Sequence, residues 1–131
     1  DTDRSRGLGD VYKRQVDIFN PKTIRATMGS IFRVPFVYVP DLALVLEQMH
    51  AKGIYTYAAH LKGQEYYDSF SFREPTAFLI GNEGNGLSKE ISDQAGQYLK
   101  IPMEGRVESL NASIAAALLM YEAHRQRSAR L

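Results

Sequence analysis

The chain has 131 residues, which is enough for one domain with a buried core. Hydrophobic residues make up 44% and charged residues 24%, values close to average globular usage, and this excludes a disordered, collagen-like or coiled-coil protein. The net charge of +1 gives no overall basic signature of a nucleic-acid-binding protein.

The residue types also exclude several site chemistries. The chain has no cysteine, which rules out disulfides, thiolate metal ligands and a cysteine nucleophile. Its three histidines are far apart in sequence and match no metal-ligand spacing, so we expect no metal. No apolar run reaches the roughly 18 residues of a membrane span and no signal-peptide pattern is present, so we expect no membrane partner and a cytoplasmic location.

Residues 1–15 differ from the rest of the chain. Their only sizeable apolar groups are Leu8, Val11 and Tyr12, so this segment cannot bury much surface. We expect an atypical tail here, and a non-native origin is one interpretation of it. The domain proper is predicted to span residues 16–131.

From Val16 onward, short apolar runs alternate with helical patterns. These patterns predict strands or strand ends at 16–19, 36–39, 54–58, 76–80 and 98–101. They predict helices at 22–29, 41–53, 88–95 and from 109 or 110 to 127. Strands that alternate with helices predict an α/β fold with a mostly parallel sheet flanked by helices.

Two further features allow more than one interpretation. Basic residues cluster at 22–33 and 124–130, where they could hold phosphate, although two solvated faces are the favoured interpretation. Six aromatic residues between 55 and 72 could stack on bases, but core packing is favoured. The aromatic segment 64–72 has no assigned secondary structure.

Two loops follow predicted strands, at 81–86 and 102–108. Ligands bind beyond the carboxyl ends of the strands in open α/β sheets, so both loops are candidate sites. The first loop contains Gly81, Gly84 and Gly86, a spacing that fits neither a Walker loop nor a dinucleotide fingerprint. Glu83 either accepts hydrogen bonds from backbone N–H groups of its own loop or acts in a site. Ser109 and Asn111 either cap the last helix or act in a site.

The sequence AFLIGNEGNGLS at 77–88, followed by IPMEGRVESLNASIAA at 101–116, resembles the second and third motifs of the SpoU (TrmH-type) RNA methyltransferases of the SPOUT superfamily. The segment NPKTIRATMGSIFRVP at 20–35 is similar to the stretch that this family carries after its first motif. The likeness extends from about Val16 to Arg127.

The resemblance implies a fold, an activity and a set of partners. The fold would be an α/β domain with a deep C-terminal trefoil knot, and the protein would be a homodimer. The activity would be transfer of a methyl group from S-adenosylmethionine to a ribose 2′-hydroxyl of tRNA or rRNA.

The resemblance also implies site residues. The cofactor-binding positions would be Gly81, Asn82, Gly86, Ile101, Met103 and Leu110, and the catalytic positions Glu83, Ser109 and Asn111. The arginine of the family's first motif should lie upstream of Asn20, and no matching motif is found there. The chain is therefore interpreted as the C-terminal part of the domain, without its first strand, and its own activity stays open. Two alternatives are a non-catalytic cofactor- or RNA-binding dimerisation module and a generic nucleotide-phosphate binder that uses the 81–86 loop.

Overall fold

The computed structural model describes residues 18–60, 63–81, 86–103 and 111–128. The chain divides into two compact units, Asp1–Tyr38 and Val39–Leu131, which are considered separately. The elements in chain order are α1 (Pro21–Thr27), a 3-10 helix (Ser30–Phe32), α2 (Leu42–Ala51), β1 (Tyr55–Ala59), a 3-10 helix (Tyr67–Ser69), β2 (Thr76–Leu79), α3 (Lys89–Gln94), β3 (Gln97–Leu99) and α4 (Ala112–Arg127).

The first unit contains the short helix α1, whose sequence has clear signals for its start and its end. The Asn20 side chain accepts a hydrogen bond from the Lys22 N–H, and proline occupies the first helical turn. The helix ends at Met28 and Gly29, both of which have left-handed backbone conformations. The helix predicted at 22–29 is therefore confirmed. Of the strand end predicted at 16–19, Ile18 and Phe19 form a turn, while Val16 and Asp17 lie outside the described residues.

The strand predicted at 36–39 is wrong. Its residues have no regular secondary structure, and no strand in the described part of the chain pairs with them. A β-branched and aromatic run is stable as a strand only when its backbone N–H and C=O groups have a partner strand. Pro35 and Pro40 at its two ends also lack the N–H groups that such pairing would use.

The second unit is built on a parallel sheet whose strand order is β2-β1-β3. The β1–β2 register places Tyr57 opposite Phe78, and the β1–β3 register places Tyr57 opposite Gln97. The central position of β1 explains why three of its five residues are buried. The prediction of a mostly parallel α/β sheet with flanking helices is confirmed.

Both faces of this sheet are covered. On one face Tyr57, Phe72 and Leu99 pack with Leu119 and Ala123 of α4. On the other face Leu46, Ala58 and Leu79 form a second cluster, against which side chains of α3 pack. Side chains alternate between faces along a strand, so the neighbours Tyr57 and Ala58 belong to different clusters.

The C-terminal end of α4 is hydrogen-bonded to the segment that precedes β2. Gln126 Nε2 donates to the Phe70 carbonyl at 2.9 Å, and its Oε1 accepts from the Phe72 N–H at 2.6 Å. The Arg127 guanidinium donates to the carbonyls of Phe72 and Glu74. Glu122 is buried beside Gln126, and its hydrogen bonds with Arg125 hold the pKa of its carboxyl below the usual value. These contacts supply partners for backbone groups that no strand pairs.

The Gln126 contacts give a direct stability test. We expect Gln126→Ala to lower the free energy of unfolding by about 1–3 kcal/mol, because it leaves a part-buried backbone donor and acceptor without partners. Urea denaturation measures the change. Gln48→Ala, at an exposed position of α2, is the matched control and should change stability by less than about 0.5 kcal/mol. Equal effects of the two substitutions would contradict the assignment.

Candidate functional site at the carboxyl edge of the sheet

The carboxyl ends of the three strands lie at one edge of the sheet, because all pairings are parallel. The chain leaves this edge at His60, Ile80 and Lys100. β1 lies between β2 and β3, and adjacent strands are about 5 Å apart, so the ends of β2 and β3 are about 10 Å apart. The connection after β1 leads to β2 on one side, and the next connection leads to β3 on the other. Such a reversal is where open α/β sheets bind ligands.

The described residues that follow β1 contact both sides of the end of β3. The His60 N–H donates to the Leu99 carbonyl at 3.0 Å, on the β1 side of β3. Lys100 then exchanges hydrogen bonds with Glu65 and Tyr67, which lie on its other side, and Tyr66 forms a parallel bridge with Lys100. Between these contacts Gly63 lies so close to β3 that a Cβ atom there would be 2.8 Å from the Leu99 carbonyl carbon.

After β2, Gly81 lies close to Gly86 and Leu87. A Cβ atom built on Gly81 would lie 2.3 Å from the Gly86 carbonyl carbon and from the Leu87 nitrogen, so no side chain fits there. Gly86 has a φ of +64°, a conformation that glycine adopts at little cost. Ser88 then begins α3, and its side chain accepts from the Ile91 N–H as its position predicts. Gly81 and Gly86 therefore form a close backbone contact, which we call the glycine neck.

The segment after β3 brings apolar side chains to the same edge. Ile101 is half-buried and packs against the core cluster on the α4 face, as does Ile80 after β2. Met103 is also half-buried. The edge therefore combines apolar side chains with backbone that is free of side chains at the glycine neck.

Asn111 has a defined structural role at the start of α4. Its Oδ1 accepts from the N–H groups of Ser113 at 2.8 Å and Ile114 at 3.3 Å. The sequence left helix capping and a site role open for Asn111, and the capping interpretation is confirmed. The cap fixes the position of Asn111 at the helix terminus, where the helix dipole is positive.

Four of the predicted site residues lie outside the described residues. They are Asn82, Glu83, Ser109 and Leu110. The structure therefore brings Gly81, Gly86, Ile101 and Met103 into connections that leave one sheet edge, and it places Asn111 at the start of α4. The roles predicted for all nine residues stay predictions.

Sequence reasoning missed the segment after β1. His60, Gly63 and Tyr66 leave the same edge as the two loops that were singled out. The available signal was their position after a predicted strand, since every parallel strand contributes its carboxyl end to that edge. The six aromatic residues divide between roles, because Tyr57, Tyr67, Phe70 and Phe72 join the core while Tyr55 and Tyr66 stay exposed.

The described ranges contain no group of three or more His, Asp or Glu residues placed to hold a metal ion. In the same ranges, no helix has the length and apolar character needed to cross a membrane.

Comparisons with known proteins agree with this architecture. The sequence model of the SpoU rRNA Methylase family matches residues 7–121. The TrmH-family protein YacO of Bacillus subtilis is 35% identical over 116 residues, which are 88% of this chain and 47% of YacO.

Two solved structures resemble the chain closely. One is the SpoU methyltransferase AviRb of Streptomyces viridochromogenes in complex with AdoMet, with a TM-score of 0.80 and 36% identity over 88% of this chain and 47% of AviRb. The other is an RNA 2′-O ribose methyltransferase, with a TM-score of 0.78 and 32% identity over 87% of this chain and 44% of that protein.

The chain belongs to the SpoU rRNA methylase family. It spans about half the length of YacO and of the two structures. The expected family is therefore confirmed.

The glycine neck gives a test of backbone packing. We expect Gly81→Ala to lower the free energy of unfolding by about 2 kcal/mol or more, because its Cβ would overlap backbone atoms of Gly86 and Leu87. Gly86→Asn is the matched comparison. Asparagine tolerates the left-handed conformation and nothing lies within 4 Å of the added Cβ, so a cost below about 1 kcal/mol is expected. Urea denaturation that gave equal losses would show that the neck is not closed.

Proposed function

We propose that this chain is the C-terminal part of a methyltransferase domain that transfers a methyl group from S-adenosylmethionine to a ribose 2′-hydroxyl of tRNA or rRNA. The observation that carries the proposal is the glycine neck at the carboxyl edge of the sheet in a member of the SpoU family. A cytoplasmic location, which the sequence leads us to expect, is part of the proposal.

The residues at this edge fit the cofactor chemically. Adenine and the methionine chain need an apolar slot with a few backbone donors and acceptors. Ile101 and Met103 supply half-buried apolar surface, and the glycine neck presents backbone without a side chain. We propose that Gly81, Asn82, Gly86, Ile101, Met103 and Leu110 hold the cofactor. Its sulfonium group supplies an already activated methyl group when it is bound.

The chain's own residues would then have two tasks. They must hold the ribose hydroxyl in line with the methyl group and assist removal of its proton, since this hydroxyl is only weakly acidic. We propose Glu83, Ser109 and Asn111 for these tasks. The Asn111 cap supports the choice, because it fixes that residue in place. Residues 16–131 contain no counterpart of the family's first-motif arginine, so cofactor binding and turnover are tested separately.

Cofactor binding is tested by calorimetric titration with S-adenosylhomocysteine, using two glycine variants. The wild-type chain should bind in the micromolar range. Gly86→Ala and Gly53→Ala both place a side chain at a positive φ with open space around it, so their costs in stability should be similar. Only Gly86→Ala alters the cofactor loop, and it should weaken binding about tenfold or more, while Gly53→Ala should bind as wild type.

Three results would contradict the proposal. One is a folded chain that does not bind S-adenosylhomocysteine, and another is equal weakening by both glycine variants. The third is tighter binding of ATP or GTP, which would favour the generic nucleotide-phosphate binder. Methyl transfer to tRNA or rRNA by the same chain then separates an enzyme from a binding module.

We also propose that the protein forms a homodimer through α4. Ile114, Leu118 and Tyr121 recur at helical spacing and are exposed on a face next to the one that packs on the sheet. Tyr121 keeps 74% of its surface exposed. Aromatic and aliphatic side chains gathered on one helix face are typical of an interface between subunits.

The dimer is tested by light scattering. The wild-type chain should give a dimer mass at micromolar concentration, and Leu118→Glu should give a monomer because it places a charge in the apolar interface. Gln48→Glu, which adds the same charge at an exposed position of α2, is the matched control and should stay dimeric. A monomeric wild-type chain would contradict this part of the proposal.

The deep trefoil knot completes the proposed fold. It is supported by His60 and Glu65–Tyr67, which contact opposite sides of β3, and by α4, which packs on the sheet after the chain has left β3. Residues 104–110, which join β3 to α4, lie outside the described residues.

A further inference from the structure

The first unit exposes an unusual number of aromatic rings. Phe19, Phe32, Phe36 and Tyr38 are all exposed, and Phe32 keeps 67% of its surface in contact with solvent. Exposed apolar groups gathered in one short segment indicate a binding surface, because single exposed residues are normal but clusters are not. We call residues 18–38 the aromatic–basic segment.

Three of these rings form an ordered row. The Phe19 and Phe36 centroids are 6.0 Å apart and the Phe36 and Tyr38 centroids 6.3 Å apart, both edge to face. The Ile18 N–H also donates to Tyr38 Oη at 3.2 Å, which holds the two ends of the segment together. An edge-to-face contact covers a face of only one of its two rings. Phe36 keeps 47% of its surface exposed and Phe32, outside the row, keeps 67%, so a planar ligand can stack on these two rings.

The charges of the segment all have one sign. Lys22, Arg25 and Arg33 lie within it, and residues 18–38 contain no Asp or Glu. Since the net charge of the whole chain is +1, the rest of the chain is slightly acidic. The single ion pair recorded among the described residues joins Arg125 to Glu122, so none of these three cations is neutralised by an acid there.

We propose that the aromatic–basic segment binds unpaired nucleotides of RNA, with its rings stacked on bases and its cations on phosphates. The inference deepens the proposed function by assigning a surface to its RNA partner. Alternating aromatic and basic groups are the combination that binds single-stranded nucleic acid. Base faces are accessible for stacking only where the RNA is unpaired.

The charges favour RNA over a protein partner. A symmetric contact between two copies of this segment would place three cations against three cations, which is unfavourable. Arginine and aromatic side chains also occur in protein interfaces, so it is the three cations in a segment without Asp or Glu that favour a polyanion. RNA fits both the cations and the rings, because its phosphates neutralise the cations and its bases cover the rings.

The test is fluorescence anisotropy with a labelled single-stranded RNA oligonucleotide and with the same sequence in a duplex. The wild-type chain should bind the single strand more tightly. Phe32→Ala should weaken that binding about tenfold, the typical loss when one stacking ring is removed, and Phe32→Tyr should restore it. Arg33→Gln should lower the slope of log affinity against log salt by about 0.7.

Matched controls remove similar groups elsewhere. Leu44→Ala removes an exposed apolar side chain of α2, and Lys52→Gln removes an exposed positive charge at its end. Both should bind RNA as wild type. Circular dichroism melting of every variant shows whether weaker binding comes from unfolding, and Phe32 makes no ring contact with another of the described residues.

Several outcomes would overturn the inference. They are equal binding of single strand and duplex, wild-type affinity for folded Phe32→Ala, a loss of dimer mass with that variant, and binding of anionic vesicles that Phe32→Ala abolishes while RNA binding stays unchanged. Titration with S-adenosylhomocysteine separates this inference from the proposed function. If the cofactor binds but Phe32→Ala has no effect, only the inference fails. If the cofactor does not bind but Phe32→Ala weakens RNA binding, only the proposed function fails.

Discussion

The parallel pairing of β1 with both β2 and β3 is the constraint on which the second unit depends. It buries Ala58 beneath α2 and α3 on one face of the sheet and Tyr57 beneath α4 on the other. It also delivers three chain segments to one edge, so the residues of the candidate site come from connections that are distant in sequence. A sheet with one antiparallel strand would send one of these segments to the opposite edge.

Close backbone contacts then shape that edge. Gly81 touches the Gly86–Leu87 backbone and Gly63 touches the end of β3, at separations that admit no Cβ atom. These contacts leave little space between connections and expose peptide groups instead of side chains. A ligand at this edge would therefore be recognised largely through backbone, while half-buried Ile101 and Met103 supply apolar surface.

Much of the fold could be predicted because its signals are local. Asp41 caps α2 and Ser88 caps α3 as their side chains predict, and the apolar runs at β1 and β2 become strands. The run at 36–39 is also rich in β-branched and aromatic residues, but no strand among the described residues pairs with it, and no local pattern reveals that absence. Gly63 was missed for a related reason. A residue without a side chain is needed there because Leu99, which is distant in sequence, lies too close to admit a Cβ atom. The roles of Glu83 and Ser109 rest on motif resemblance alone.

The pairing of β3 on both sides has a consequence for how the candidate site depends on the rest of the chain. Both neighbours of β3, the strand β1 and the Glu65–Tyr67 segment, precede it in the chain. β3 is therefore held by contacts between residues that are distant in sequence, and such contacts form slowly because loop closure precedes the gain in contacts. Ile101 and Met103 follow β3 directly, so their positions depend on both pairings. A substitution that loosens either neighbour of β3 would thus displace apolar residues of the edge without touching them.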